Sequence, residues 1–127
     1  MPQFCPEHTP ANLDSFTRGY LDCAEWLLDE EVNRGTLRGW TRRAIGRAAA
    51  DCAAFQRDHA NDLIAYQKAS GRDLEYAGHD FFLSRNRDGA GFWDRGDDPC
   101  LERLTAASHA FGIADTYVSR GWINFNR

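Results

Sequence analysis

The chain has 127 residues, of which 43% are hydrophobic and 27% are charged, and its formal net charge is −4 at pH 7. This acidic balance argues against a general nucleic-acid binder, which would carry a positive excess to displace counterions from phosphates. The sequence holds no apolar run near the roughly 20 residues that cross a bilayer, so we expect a cytoplasmic protein without a membrane partner.

The first half of the chain predicts two helices. Asn12 or Asp14 can cap a helix over residues 12–31, because the apolar residues that follow recur at helical spacing. Thr41 offers an N-cap for a longer helix over residues 41–69. The apolar stripe of the first helix is Phe16, Tyr20, Cys23 or Ala24, and Leu27, and that of the second is Ala48, Cys52, Phe55, His59, Leu63 and Tyr66.

A change of periodicity follows, and it predicts a β-hairpin over residues 80–95. Two segments rich in aromatic residues, 81–85 and 91–95, flank Asp88-Gly89. This dipeptide suits the positive φ values of a tight hairpin turn. In that pairing, Arg85 faces Phe92 directly and Asp94 diagonally.

The end of the chain predicts a helix and a second hairpin. Asp98 and Pro99 form an N-cap and first-turn pair, and Gly112 ends the helix that they begin. Residues 115–119 and 122–125 flank Arg120-Gly121, which places Val118 opposite Ile123 and Thr116 opposite Phe125.

These elements predict one α+β domain over residues 1–127, with an N-terminal arm over residues 1–11. The order is ααββαββ, and the two hairpins form a small antiparallel sheet packed on the helices.

Residues 78–96, GHDFFLSRNRDGAGFWDRG, carry a resemblance to known proteins. With DCAAFQ upstream and LxxxAxxFGxxDxYV downstream, this run resembles a family of small tailed-phage and prophage proteins. In that family the run reads close to GHDFWLTRN-x-x-GAGFWDRG. This chain departs from it at Phe82, where Trp is usual, and at Arg87-Asp88, where smaller or His-containing turns are usual. The resemblance covers residues 48–125 and implies an accessory protein of a phage or mobile element in the cytosol of a bacterial host.

The same segment is the candidate binding site, because charged and aromatic side chains concentrated in one ribbon are typical interface anchors. We therefore expect a protein that binds a host protein or protein complex, of which an inhibitor of host defence such as an anti-CRISPR protein is one concrete version. The structural alternative is that Arg85 and Asp94 form only a cross-strand ion pair. The candidate binding residues are Arg85, Asn86, Phe92, Trp93, Asp94 and Arg95.

An enzyme can be assembled from overlapping residues. His79 would act as general base, oriented by Asp80 or Asp94, while Arg85 and Arg95 hold an anionic group of the substrate, such as a phosphate. The resulting alternative is a small hydrolase or nucleotide-processing enzyme. Because no nucleophile motif, metal-ligand set or phosphate loop accompanies His79, we favour a binding protein without a cofactor.

Arginines at the start of the second helix support a third alternative, a weak nucleic-acid binder. Arg38, Arg42, Arg43 and Arg47 could form a basic ridge that contacts phosphates or an acidic protein surface. Acidic residues 29–31 are close in sequence and could instead neutralise that ridge.

The cysteines predict free thiols. Cys5, Cys23, Cys52 and Cys100 are widely spread in a chain that needs no disulfide framework. Cys5 and His8 have the spacing of half a zinc site, but no second closely spaced pair completes it, so we expect no metal.

Overall fold

A computed structural model of the protein describes residues 12–28 and 36–126. The fold is α+β, as predicted, and helices dominate it. The N-terminal arm and residues 29–31 lie outside the described residues. In chain order the elements are α1 (Ser15–Trp26), β1 (Gly39–Trp40), α2 (Arg42–Asp58), α3 (Ala60–Ser70), α4 (Leu74–Arg85), a 3₁₀ helix (Phe92–Asp94), α5 (Pro99–Ala110), β2 (Thr116–Ser119) and β3 (Trp122–Phe125).

The helices of the first half begin where the caps predict. An Asp14 carboxylate oxygen accepts from the Thr17 backbone N–H at 2.8 Å, and the Thr41 hydroxyl accepts from the Ala44 N–H at 3.1 Å. The predicted helix over residues 41–69 is divided, because His59 leaves the helical region with φ −128° and ψ 28°. The chain resumes as α3, and the predicted apolar stripe still faces the core on both sides of the break.

The predicted hairpin over residues 80–95 is wrong, because residues 74–85 form helix α4. The helix ends in a Schellman motif, in which the Asp88 N–H donates to the Leu83 carbonyl at 3.0 Å and the Arg87 N–H donates to that of Ser84 at 3.2 Å. Arg87 takes the left-handed conformation with φ 57°. Asp88-Gly89 therefore follows a helix end and does not connect two strands.

Helices α1 and α4 cross at two glycines. A Cβ on Gly19 would overlap the Glu75 carbonyl, and one on Gly78 would overlap the Phe16 carbonyl. The two backbones are therefore in direct contact. This crossing brings the Phe81 ring to within 5.4 Å of the Tyr20 ring, centroid to centroid, in the centre of the core.

The C-terminal hairpin has the predicted register, with Val118 opposite Ile123. Arg120 and Gly121 both have positive φ, 54° and 87°, as a two-residue hairpin turn requires. The predicted antiparallel sheet is mixed, because β1 pairs in parallel with β3 and places Trp40 opposite Ile123. The strand order is β1-β3-β2.

Helix α5 also begins as predicted, with the Asp98 carboxylate accepting from the Cys100 N–H at 2.9 Å and Pro99 as its first residue. It packs on α3 and α4, and the sheet closes the core beside α2. In the part of the chain that the structure describes, no helix has the length and apolar character needed to span a membrane.

Candidate functional site

The predicted site residues lie on the last turns of α4 and on the segment that follows it. Asn86 is half-buried, accepts from the Ala114 N–H at 2.7 Å and donates to the Phe82 carbonyl at 3.1 Å. Of the six candidate binding residues, Arg85 and Phe92 are buried, Asn86 and Arg95 are half-buried, and Trp93 and Asp94 are exposed.

Asp80 is completely buried and is the centre of one charged network. Arg95 donates Nη2 to Oδ1 at 2.7 Å and Nε to both carboxylate oxygens, at 3.2 and 3.1 Å. The Tyr66 hydroxyl donates to Oδ2 at 2.7 Å. Burial, together with the Asp80 carboxylate, raises the pKa of Tyr66, so this hydroxyl stays protonated. Asp80 thus anchors Arg95 and Tyr66 inside the fold.

Arg85 is the centre of a second network, although only 3% of the residue is exposed. Its Nη1 donates to an Asp51 carboxylate oxygen at 2.7 Å and to the Tyr20 hydroxyl at 3.1 Å. Nε and Nη2 donate to the carbonyls of Gly112 and Phe111 at 2.8 and 3.0 Å, just after α5. The predicted cross-strand ion pair of Arg85 with Asp94 is wrong, because the hairpin is absent and Asp51 takes that place.

The segment between α4 and the 3₁₀ helix is held by its own hydrogen bonds. The Ser84 hydroxyl accepts from the Phe92 N–H at 3.0 Å, and an Asp94 carboxylate oxygen accepts from the Gly91 N–H at 3.1 Å. Gly91 has φ 155° and lies so close to Ser84 that a Cβ would overlap the hydroxyl oxygen. These contacts fix the direction in which Trp93 leaves the fold.

Trp93 is 54% exposed and lies at the mouth of an open groove of about 360 Å³. The residues that flank Trp93 are held by hydrogen bonds. Phe92 donates its N–H to Ser84, Asp94 accepts from the Gly91 N–H, and Arg95, one residue further, donates to Asp80. We call this groove, together with Asp94, the Trp93 surface. The groove is lined by Trp93, Gly96, Asp97, Asp98, Pro99, Leu101 and Glu102.

The charge of the Trp93 surface is negative. Asp97, Asp98 and Glu102 are all exposed. The one nearby arginine on α5, Arg103, donates to Asp62 at 2.8 Å and is already paired. Of the remaining carboxylates, Asp94 lies 3.7 Å from Arg95 and Asp98 caps α5. Asp97 and Glu102 form no ion pair with the described residues. The surface therefore combines one large indole ring with an excess of carboxylates.

The residues of the enzyme alternative do not converge. His79 is half-buried on α4, and its ring centroid is 5.9 Å from that of Tyr76. Within the described ranges, His79 forms no ion pair with a carboxylate. Oδ1 of Asp80 accepts from Arg95, Oδ2 accepts from Arg95 and Tyr66, and Asp94 accepts from the Gly91 N–H. Among residues 12–28 and 36–126, no three His, Cys, Asp or Glu side chains are placed to hold a metal ion.

The basic ridge contributes two of its members to a separate cleft. Arg43 and Arg47 line a cleft of about 340 Å³ between α2 and the C-terminal hairpin, together with Tyr117, Asn124 and Asn126. Sequence reasoning found the arginines but missed the cleft, because its other wall comes from a hairpin far along the chain. The acidic residues 29–31, which could neutralise the ridge, lie outside the described residues.

The chain matches no family model, and no curated protein or solved structure is significantly similar to it. The resemblance of residues 78–96 to phage proteins therefore stays a prediction. Most of the polar residues that carry that resemblance bond to the protein itself, so the run specifies a local fold that presents Trp93.

Proposed function

We propose that this protein is an accessory protein of a phage or mobile element that binds a host protein in the bacterial cytosol through the Trp93 surface. The observation that carries the proposal is a half-exposed indole, on a backbone segment held by hydrogen bonds, beside a groove lined with carboxylates. The partner that fits this surface is a protein with a basic patch around an apolar pocket.

A fixed tryptophan suits such a contact for two physical reasons. Tryptophan is enriched among the few interface residues that carry most of the binding free energy. An aromatic side chain whose backbone is already held loses little conformational entropy when a partner covers it. The 3₁₀ helix meets this condition, because Phe92 is fully buried and Arg95 is bound to Asp80.

Charge decides which partners the surface accepts. The carboxylates of Asp97, Asp98 and Glu102 lie along the groove that the indole borders. Such a surface attracts a basic protein and repels nucleic acid, since like charges across an interface oppose association. In this proposal Arg85, Asn86, Phe92 and Arg95 position the surface and do not contact the partner.

The direct test is capture of a partner from host extract with two matched variants. Trp93→Ala removes the indole of the Trp93 surface. Trp26→Ala removes an indole that is 74% exposed at the end of α1, outside that surface. The proposal is supported if a partner binds the wild type and Trp26→Ala but not Trp93→Ala. The same difference should be seen when the complex is reconstituted from purified components. Equal retention by both variants would refute it.

More specifically, we propose that the host protein belongs to a defence system and that its binding inhibits that system. Expression of the protein in bacteria with an active CRISPR system should restore plaque formation by a targeted phage. Trp93→Ala should abolish this restoration and Trp26→Ala should preserve it. If the wild-type protein does not restore plaque formation against any CRISPR type tested, inhibition of CRISPR is refuted. Binding of another host protein is tested separately by the capture experiment.

A further inference from the structure

The cleft beside α2, which contains Arg43 and Arg47, is independent of the Trp93 surface. We call it the arginine cleft, and its polar lining consists of Arg43, Arg47, Tyr117, Asn124 and Asn126. Its volume of about 340 Å³ falls at the lower end of the range of small-molecule sites, roughly 300–1,000 Å³. A ligand of about the size of a mononucleotide would fill it.

The two arginines place uncompensated positive charge on one wall. Arg43 and Arg47 are four residues apart on α2, so their side chains are neighbours that repel each other. Asp51 is next on that helical face, but its carboxylate is bound to Arg85 at 2.7 Å. Within the part of the chain that the structure describes, neither Arg43 nor Arg47 forms an ion pair with a carboxylate.

The opposite wall supplies a ring and amides. Tyr117 is 46% exposed and stands directly across the hairpin from Asn124. Among the described residues, the Asn124 amide nitrogen donates one long hydrogen bond, of 3.3 Å, to the Trp122 carbonyl. An exposed tyrosine ring can stack on a flat heterocycle, and amides can bond to the polar edge of one.

We propose that the arginine cleft binds a phosphate ester that carries a flat heterocycle, as a mononucleotide does. Guanidinium groups bind phosphate oxygens through charge-assisted, often bidentate, hydrogen bonds, so Arg43 and Arg47 take the phosphate. Tyr117 stacks on the heterocycle, and Asn124 with Asn126 bonds to its edge. A free nucleotide and a nucleotide of a single strand share this chemistry.

The test is a titration of the ¹⁵N-labelled full chain, followed by NMR shifts of residues that line the cleft. The probes are adenosine 5′-monophosphate, ribose 5-phosphate, adenosine and a short oligodeoxythymidylate. Adenosine 5′-monophosphate should bind at least several-fold more tightly than ribose 5-phosphate, because stacking contributes only to the former. Adenosine should bind more weakly still. Tighter binding of the oligonucleotide than of the mononucleotide would identify a strand as the source of the nucleotide.

Matched variants locate the binding. Arg43→Gln combined with Arg47→Gln should weaken binding of adenosine 5′-monophosphate by at least about tenfold. Arg42→Gln removes an exposed arginine on the same helix that does not line the cleft, and it should leave binding unchanged. Tyr117→Ala should remove the preference for adenosine 5′-monophosphate over ribose 5-phosphate.

Three results would overturn the proposal. The first is that neither the mononucleotide nor the oligonucleotide causes saturable shifts. The second is that adenosine and adenosine 5′-monophosphate bind with equal affinity. The third is that Arg42→Gln weakens nucleotide binding as much as the double variant does. If the double variant does not fold, Arg47→Lys keeps the charge and removes the guanidinium. It should still weaken binding several-fold, and unchanged binding would count against the proposal.

Discussion

Gly78, like Gly19 at the same crossing, is a position at which one added methyl group should be highly damaging to the fold. A Cβ there would overlap the Phe16 carbonyl oxygen and lie 2.9 Å from the Tyr20 backbone nitrogen. Both obstacles are backbone atoms of α1, so no side-chain rotation relieves the overlap. Helices α1 and α4 would have to separate, and the aromatic core between them would loosen.

The expected cost of Gly78→Ala is at the upper end of that for overpacked cores, about 3 kcal/mol. Domains of this kind have total stabilities of about 5–15 kcal/mol, so this is a large fraction. For a chain of this length, we expect a fall in Tm of roughly 10 °C. Urea and thermal unfolding followed by circular dichroism measure both quantities.

The matched control is Gly46→Ala on the exposed face of α2. A Cβ at Gly46 meets no atom within 4 Å, so alanine should raise stability by about 0.5–1 kcal/mol through helix propensity. If the free energy of unfolding of Gly78→Ala lies within 1 kcal/mol of the wild-type value, the backbone contact of α1 with α4 is refuted.

Three further predictions concern the networks and the core. Asp80→Asn should lower the free energy of unfolding by about 3 kcal/mol, since it removes the buried counter-charge of Arg95 and leaves only the longer contact with Asp94, at 3.7 Å. Tyr66→Phe should lower it by about 1.5 kcal/mol. Equal small losses in urea unfolding would contradict the network. Gly91→Ala should lower the free energy of unfolding by about 2 kcal/mol, because the positive φ and the contact with Ser84 both disfavour a side chain. An unchanged free energy of unfolding would contradict the close approach of Gly91 to Ser84. Burial raises the pKa of Cys23 to about 12 from an ordinary value near 9. The folded state therefore retains the thiol proton longer than the unfolded state, and stability should fall as the pH rises from about 9 towards 12. Cys23→Ala should reduce this loss in unfolding measured across that range, and an identical pH dependence in wild type and variant would contradict it.

Local chemistry made part of the fold predictable. The caps at Asp14, Thr41 and Asp98 and the turn at Arg120-Gly121 depend on residues within a few positions of each other, and all four are confirmed. Tertiary contacts decided the rest. The two-residue strand β1 exists because it pairs with β3, and nothing within its own length predicts it.

The hairpin prediction was wrong because residues 81–85 fit both the two-residue repeat of a strand and the repeat of a helix. Alternation favours a strand, whereas Ala77, Phe81 and Arg85 recur at intervals of four, as a helix requires. The N-cap at Asp73, whose carboxylate accepts from the Tyr76 N–H at 3.0 Å, was the local signal that could have decided between them. The close contact through Gly78 then fixes the helix.

The sequence could indicate the segment that contains the candidate site, but not which of its side chains are exposed. The crowding of rings and charges directs attention to residues 78–96. Which side chains face inward depends on Asp51, Tyr66 and Gly112, which are distant in sequence and bind Arg85 or Asp80. Sequence reasoning could not separate the exposed Trp93 from the buried residues beside it.

Photo-crosslinking tests the central claim most directly. A photoreactive phenylalanine analogue in place of Pro99, which is exposed and lines the groove, samples the Trp93 surface while the indole is retained. The same analogue in place of Tyr76, which is 50% exposed on α4, samples a surface outside it. In host cells, the proposal predicts one dominant crosslinked host protein with a basic surface from position 99, and that protein should not be crosslinked from position 76. The absence of a crosslink from position 99, or the same product from both positions, would contradict it.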